Sequence, residues 1–254
     1  MFIFNNMPRN LFLILICLIL FNAPSLVRAE TCNERSKEVL FHSCDIPANV
    51  SLKFFPLEFK RDRRDILSIT GAYSSGDRFG VEGLAFKAAR LISLRFKGWD
   101  GALLISPNGN PQIHNVENIQ FLGHKYNLKN ISDRRIFIEK AQDDGWSMIQ
   151  SHLLITDSVL DLLVIPNARQ FIRRMFFTDL KGWGIYETKT PVTLYEAALE
   201  IQKNLNPYMV INLDMGAYNY CQINNNSNFD SCGDLLTSHK NLTNLITIRL
   251  LKNN

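Results

Sequence analysis

Apolar residues along this chain recur mostly at strand spacing. Over residues 50–59 aromatic and branched side chains alternate with polar ones and Pro56 interrupts the run, a composition that suits an edge strand. A second strand is predicted at residues 66–71. Gly71-Ala72-Tyr73-Ser74-Ser75-Gly76 follows it, a loop too rich in glycine to belong to a helix. Residues 80–86 return to a strand-like pattern. Residues 102–106 and 112–115 flank Pro107-Asn108-Gly109-Asn110, which is turn chemistry, so the pair is expected to form a hairpin. Residues 173–178 and 183–187 give the same signal around Asp179-Leu180-Lys181-Gly182.

Helical spacing is clearest just after Pro191. Thr193 and Glu196 offer the two side chains of a capping box, and Leu194, Ala197, Ala198, Ile201 and Leu205 fall on one face. Asn206-Pro207 closes that helix. Residues 208–213 are then almost continuously apolar over the length of a strand, as expected for a strand buried on both faces, and the run finishes in Asp214. Residues 246–250 supply a last strand, and Asn224-Asn225-Asn226-Ser227-Asn228 reads as a polar loop. No internal repeat or low-complexity linker interrupts the order. Many strands with few helices predict an α+β fold, a single domain with a mixed, largely antiparallel sheet.

The amino end changes the compartment. Arg9, an apolar run over residues 11–21 and the close Val27-Arg28-Ala29 have the order of a secretory signal, with cleavage expected after Ala29 and a domain over residues 30–254. The apolar run is shorter than the roughly 20 residues that span a bilayer, so no stable membrane span is expected after cleavage. A secreted or periplasmic location follows. Removing the signal takes away Arg9 and Arg28 and no acid, so the formal charge falls by two from +4. That balance favours no class of partner, and the basic stretch at residues 60–65 is interleaved with acids, so nucleic acid is not expected. Cys17 leaves with the signal, and Cys32, Cys44, Cys221 and Cys232 remain. In an oxidising compartment an even number predicts disulfides. Three pairings are open, and the short separations favour Cys32 with Cys44 and Cys221 with Cys232. Neither pair has the spacing of a zinc knuckle, and neither metal nor cofactor is expected. Asn49, Asn130, Asn225 and Asn241 stand in glycosylation sequons.

Candidate chemistry is concentrated at a few places. Asp214 lies just past a buried strand, where a carboxylate must face a cleft, a cation or backbone donors. Glu82 sits between Gly80 and Gly83 beside the glycine-rich loop, and His152 follows Gln150-Ser151. Arg173 and Arg174 are suited to an anionic group, although neighbours on a strand point to opposite faces and only one of them serves a given site. Ser74 and Ser75 lack the elbow motif of a serine hydrolase.

Taken in order, these features resemble the phosphodiester glycosidase family from about Leu52 to the carboxyl end. Thr70-Gly71-Ala72-Tyr73 is similar to the family's Asn-Gly-Gly-aromatic strand end, Gly83-Leu84 to its Gly-Leu element, and Gln150-Ser151-His152-Leu153 to its Gln-Ser/Ala-Gly-Pro segment. Pro191-Val192-Thr193-Leu194 and the helix after it resemble the approach to the last motif, Asn-Leu-Asp-Gly-Gly-Gly-Ser, which is matched by Asn212-Leu213-Asp214-Met215-Gly216-Ala217-Tyr218. The chain departs from the pattern at Thr70, at His152-Leu153 and at Met215-Gly216-Ala217-Tyr218. The resemblance implies a secreted hydrolase acting on a sugar phosphodiester or related glycosidic linkage. It implies Asp214 and Glu82 as the catalytic carboxyls, and Gly71, Tyr73, Gln150, His152, Arg173, Arg174 and Gly216 around a glycan or sugar-phosphate substrate. The lost glycines favour an alternative, a noncatalytic glycan- or envelope-binding protein of the same fold, with Tyr73 and Tyr218 as aromatic platforms.

Overall fold

The computed structural model describes residues 36–54, 62–75, 80–225, 228–238 and 241–251. All belong to one compact unit, Arg35–Asn254. The predicted signal, Cys32 and the distal part of the first predicted strand lie outside the described residues.

Three antiparallel sheets carry the fold, in agreement with the expected α+β class. The largest has the order β1-β14-β13-β15-β11-β12, with β1 at Val39–His42, β11 at Leu153–Thr156, β12 at Val159–Leu160, β13 at Arg174–Asp179, β14 at Gly182–Glu187 and β15 at Met209–Asn212. A second has the order β5-β4-β10-β6-β7, from β4 (Ala85–Lys87), β5 (Arg90–Ser93), β6 (Gly101–Ile105), β7 (Pro111–Asn115) and β10 (Ser147–Ser151). The third, β17-β16-β3-β18-β2, is built from β2 (Ala48–Phe54), β3 (Asp65–Thr70), β16 (Cys221–Asn225), β17 (Asn228–Ser231) and β18 (Asn244–Leu250). A small hairpin, β8 (Ile119–Phe121) with β9 (His124–Tyr126), stands apart.

Burial explains which runs are continuous and which alternate. Leu103, Ile105 and Ile149 face a core shared with Leu52, Ile69 and Ile246 of the third sheet and with Phe176 and Ile211 of the first. Their neighbours Ala102, Leu104 and Met148 point the other way, onto α1 (Ile131–Asp143) through Phe137 and Ala141. In the first sheet, Met175, Phe177 and Val210 are covered in the same manner by Ala197, Ala198 and Ile201 of α2 (Leu194–Leu205). Both faces of β6, β10 and β15 are therefore dry, and every residue in them is buried. β2 lies at a sheet edge and alternates strictly, burying every second residue.

Local chemistry sets the boundaries. Both reciprocal bonds of the Thr193–Glu196 capping box form, and Asn206 ends α2 in the left-handed conformation at φ 47°. Cys221 pairs with Cys232, as their short separation favoured. Cys44 is also disulfide-bonded. Two expectations are corrected: the asparagine-rich stretch read as a loop contributes to the paired strands β16 and β17, in register from Gln222 with Ser231 to Asn225 with Asn228. Pairing of Cys221, Gln222 and Ile223 with Ile69, Ser68 and Leu67 supplies backbone partners that local polarity does not reveal. The strand expected over residues 80–86 is also shorter, since Gly83 turns the chain at φ +85° and β4 begins at Ala85.

Candidate functional site

Asp214 follows the buried strand β15 directly, and three segments hold it. Its N–H donates to the carbonyl of Gly71 at 2.8 Å, and the N–H of Ser74 donates to its Oδ2 at 2.9 Å. Residues 71–72 are pinned in turn by Asn244, which is wholly buried; its Oδ1 accepts from the N–H of Ala72 at 2.7 Å and its Nδ2 donates to the carbonyl of Ala72 at 2.9 Å. Glycine is needed at position 71 because a Cβ there would lie 2.8 Å from Asn244 Oδ1 and 2.9 Å from Ile246 Cγ1. The carboxyl is only 5% exposed. Burial pushes its pKa up to about 7, against donors from Ser74 and Met215 and with a smaller contribution from the charge of Glu82.

The backbone of Glu82 reaches the same place through one peptide group. The Tyr73 carbonyl accepts from the N–H of Glu82 at 2.7 Å, and the Ser74 N–H across that peptide bond donates to Asp214. Peptide geometry thus puts the Glu82 backbone nitrogen within about 8 Å of the Asp214 carboxyl. Lys97 Nζ pairs with Glu82 Oε2 at 3.2 Å. Beside it the backbone runs so close to Trp99 that a Cβ on Gly83 would stand 2.9 Å from the indole ring.

Aromatic rings form the wall above the acids. Tyr73 lies 4.8 Å from Trp99 between ring centroids and meets His152 edge-on at 5.9 Å, while Trp99 and His152 are 5.2 Å apart. Asn212 Nδ2 donates to the Tyr73 hydroxyl oxygen, which leaves the phenolic proton as a donor for another group. The Oδ1 of Asn212 is buried without a hydrogen-bond partner. Burial, and secondarily the charge of Asp214, push the Tyr73 hydroxyl up to about 12, so it stays protonated at neutral pH. Burial and then the nearby Arg173 lower the pKa of His152, favouring the neutral ring.

Arg173 supplies positive charge at the edge of this wall. It is 8% exposed; its Nε donates to the carbonyl of Val192 at 3.1 Å and its Nη2 to that of Arg169 at 2.8 Å. No carboxylate pairs with it among the described residues. With His152 it lines an open cleft of about 630 Å3 that continues along residues 162–170 and the start of α2.

The nine residues singled out from the sequence divide by position. Asp214, Glu82, Gly71, Tyr73, His152 and Arg173 gather around one site. Gln150 lies beneath it, committed to the fold: its Oε1 accepts from the N–H groups of Leu84 and Lys97, and its Nε2 donates to the carbonyls of Lys97 and Trp99. Arg174 is fully buried on the opposite face, ion-paired to Glu187 and bonded to the carbonyl of Tyr220 and the side chain of Asn219. Gly216 has φ +78° in a short 3-10 helix and open space where a Cβ would be. Tyr218 packs instead with Tyr220, Leu242 and Leu245. The sequence named Asn212 only as part of the motif around Asp214 and overlooked Trp99, Lys97 and Asn244, whose local sequence carries no signal of a site because each is brought in by a contact distant along the chain.

Among the described residues no group of three His, Cys, Asp or Glu side chains is placed to hold a metal ion, and no helix is long and apolar enough to cross a membrane. No family model matches the sequence, and no curated protein matches it. Among solved structures, a hypothetical protein from Synechocystis is similar at a TM-score of 0.45, with 11% identity over 80% of this chain and 57% of that one. The catalytic domain of zebrafish N-acetylglucosamine-1-phosphodiester alpha-N-acetylglucosaminidase, auto-inhibited by its pro-peptide, is similar at a TM-score of 0.52, with 13% identity over 82% of this chain and 74% of that one. What this chain shares with the zebrafish domain is a fold, and the resemblance read from its motifs is supported at that level.

Proposed function

We propose that the protein is an exported hydrolase that cleaves a sugar phosphodiester or a related glycosidic linkage. The observation that carries the reading is the buried Asp214, poised near neutrality by burial, with Glu82 attached to the other side of the same peptide group. Glycosidic cleavage commonly uses two carboxyl groups, one protonated and one ionised. The resemblance implies Asp214 only as one of two catalytic carboxyls; its environment suits it to the acid, because desolvation holds the proton on. Asp214 then donates that proton to the bridging oxygen as the bond from carbon to oxygen breaks. Glu82, paired with Lys97, takes a proton from the water that forms the new bond, so one water is consumed and no other reactant is needed. Arg173 offsets phosphate charge, and the phenolic proton of Tyr73 is donated to a sugar or phosphate oxygen. The fold of the zebrafish domain and its printed activity support the substrate class. Export rests on the amino-terminal pattern and agrees with the disulfide between Cys221 and Cys232.

The direct test is hydrolysis of sugar-phosphodiester model substrates by the mature chain, with Asp214→Asn beside it. Loss of general acid catalysis is expected to cost about 100- to 10,000-fold in kcat. Equal rates for the two proteins, or no turnover by either, would reject the hydrolase. The second reading, a glycan-binding protein, is favoured by the cluster of Tyr73, Trp99 and His152 rings beside the acids, and glycan binding without turnover would select it.

A further inference from the structure

We propose that the cleft leading away from Arg173 holds a hydrocarbon chain, so that the ligand is a single-chain amphiphile with an anionic phosphate head. The inference rests on the proposed phosphate-bearing substrate and names the class of its other half. Its inner end is the buried, carboxylate-free Arg173 beside a His152 whose neutral form is favoured. Its outer end is apolar and in contact with water: Leu163 is 87% exposed, Val164 65% and Ile165 69%. Leu162 and Leu194 pack on the core beneath, and Leu199, 41% exposed, completes the opposite side from α2. Consecutive exposed Leu, Val and Ile on one loop are a contiguous apolar patch, which calls for an occupant. Isolated exposed apolar side chains would not.

Charge and continuity select the occupant. A second cation, Arg169, lines the cleft, while the carboxylate of Glu196 there is held by the N–H of Thr193 at 2.8 Å within the capping box. Two cations, Arg173 and Arg169, against the single carboxylate of Glu196 leave the lining net positive, and the cleft passes outward into hydrocarbon. A volume of about 630 Å3 is in the range of small-molecule sites. A phosphate on Arg173 with an alkyl chain lying along residues 162–165 and Leu199 meets both ends. A polar sugar in the outer cleft would leave its hydroxyls against apolar side chains.

The test is binding of monomeric n-alkyl phosphates of increasing length to the mature protein, below their micelle concentrations, by calorimetry. Each methylene entering the cleft should tighten binding by about three- to four-fold until the cleft is full. Alkyltrimethylammonium ions of equal length should bind at least tenfold more weakly. Val164→Asp, at an exposed position, should sharply weaken the dependence on chain length. Absence of chain-length dependence, with sugar phosphodiesters still hydrolysed, overturns the inference and leaves the hydrolase standing. Chain-length dependence without any hydrolysis upholds the amphiphile site and removes the hydrolase. Binding to phosphatidylcholine vesicles with none to the monomeric phosphates overturns it in favour of a membrane-docking loop.

Discussion

Replacing Asp214 with asparagine tests whether burial governs the site. The carboxyl is 5% exposed, and its pKa is raised from 3.8 to about 7. Because the folded value is the higher one, the native state holds the proton more tightly than the unfolded chain does. The associated stability is fully present below about pH 4 and is lost as pH rises through about 7. One pKa unit corresponds to about 1.4 kcal/mol, so by pH 8 the ionised side chain costs the native state up to about 4 kcal/mol. Asparagine has nearly the same shape and no charge to bury. Its oxygen can still accept the Ser74 N–H, whereas its amide nitrogen faces donors and loses a bond, a penalty of about 1 kcal/mol at every pH. Asp214→Asn is therefore expected to gain on wild type by about 2–4 kcal/mol between pH 4 and pH 8, or roughly 5–15 °C in Tm. Urea and thermal unfolding followed by circular dichroism, at constant ionic strength and with disulfides intact, measures the difference at each pH. A gap between the two proteins that stays constant over that range would refute the claim that desolvation sets this pKa.

Further expectations concern turnover and the supports of the site. With Asp214 as acid, kcat/KM on a phosphodiester substrate should fall about tenfold per unit above pH 7, and a flat profile there would remove its acid role. Arg174→Met leaves Glu187, the carbonyl of Tyr220 and the side chain of Asn219 without their buried cation, and should cost about 3–5 kcal/mol in urea unfolding; a change under about 1 kcal/mol would show that this pairing does not hold residues 219–220. Gln150→Leu strips partners from Leu84, Lys97 and Trp99, with an expected loss of at least about 3 kcal/mol and a shifted tryptophan emission as the Trp99 segment loosens. Unchanged stability and emission would mean that the segment is held by its ring contacts alone.

The sequence by itself determined the elements whose causes are local. The capping box of Thr193 and Glu196, the Asn206-Pro207 stop, the turn at residues 179–182 and the unbroken apolar run before Asp214 each depend on neighbours a few positions away. It also singled out Asp214, Glu82, Gly71, Tyr73, His152 and Arg173, which the structure brings near one another. It did not reveal α1, which buries little beyond Phe137, Ile138 and Ala141 and leaves Ile131 73% exposed, so its apolar stripe is too thin to read as periodicity. Nor did it separate the two arginines, which differ only in which side of the sheet each faces: Arg173 toward the cleft, Arg174 toward Glu187 and the loop at residues 219–220. The tertiary structure alone decided the ionisation of Asp214 and the assembly of Tyr73, Trp99 and His152. Desolvation and ring contacts depend on which distant segments close over a side chain, and nothing in the residues adjacent to it along the chain encodes them.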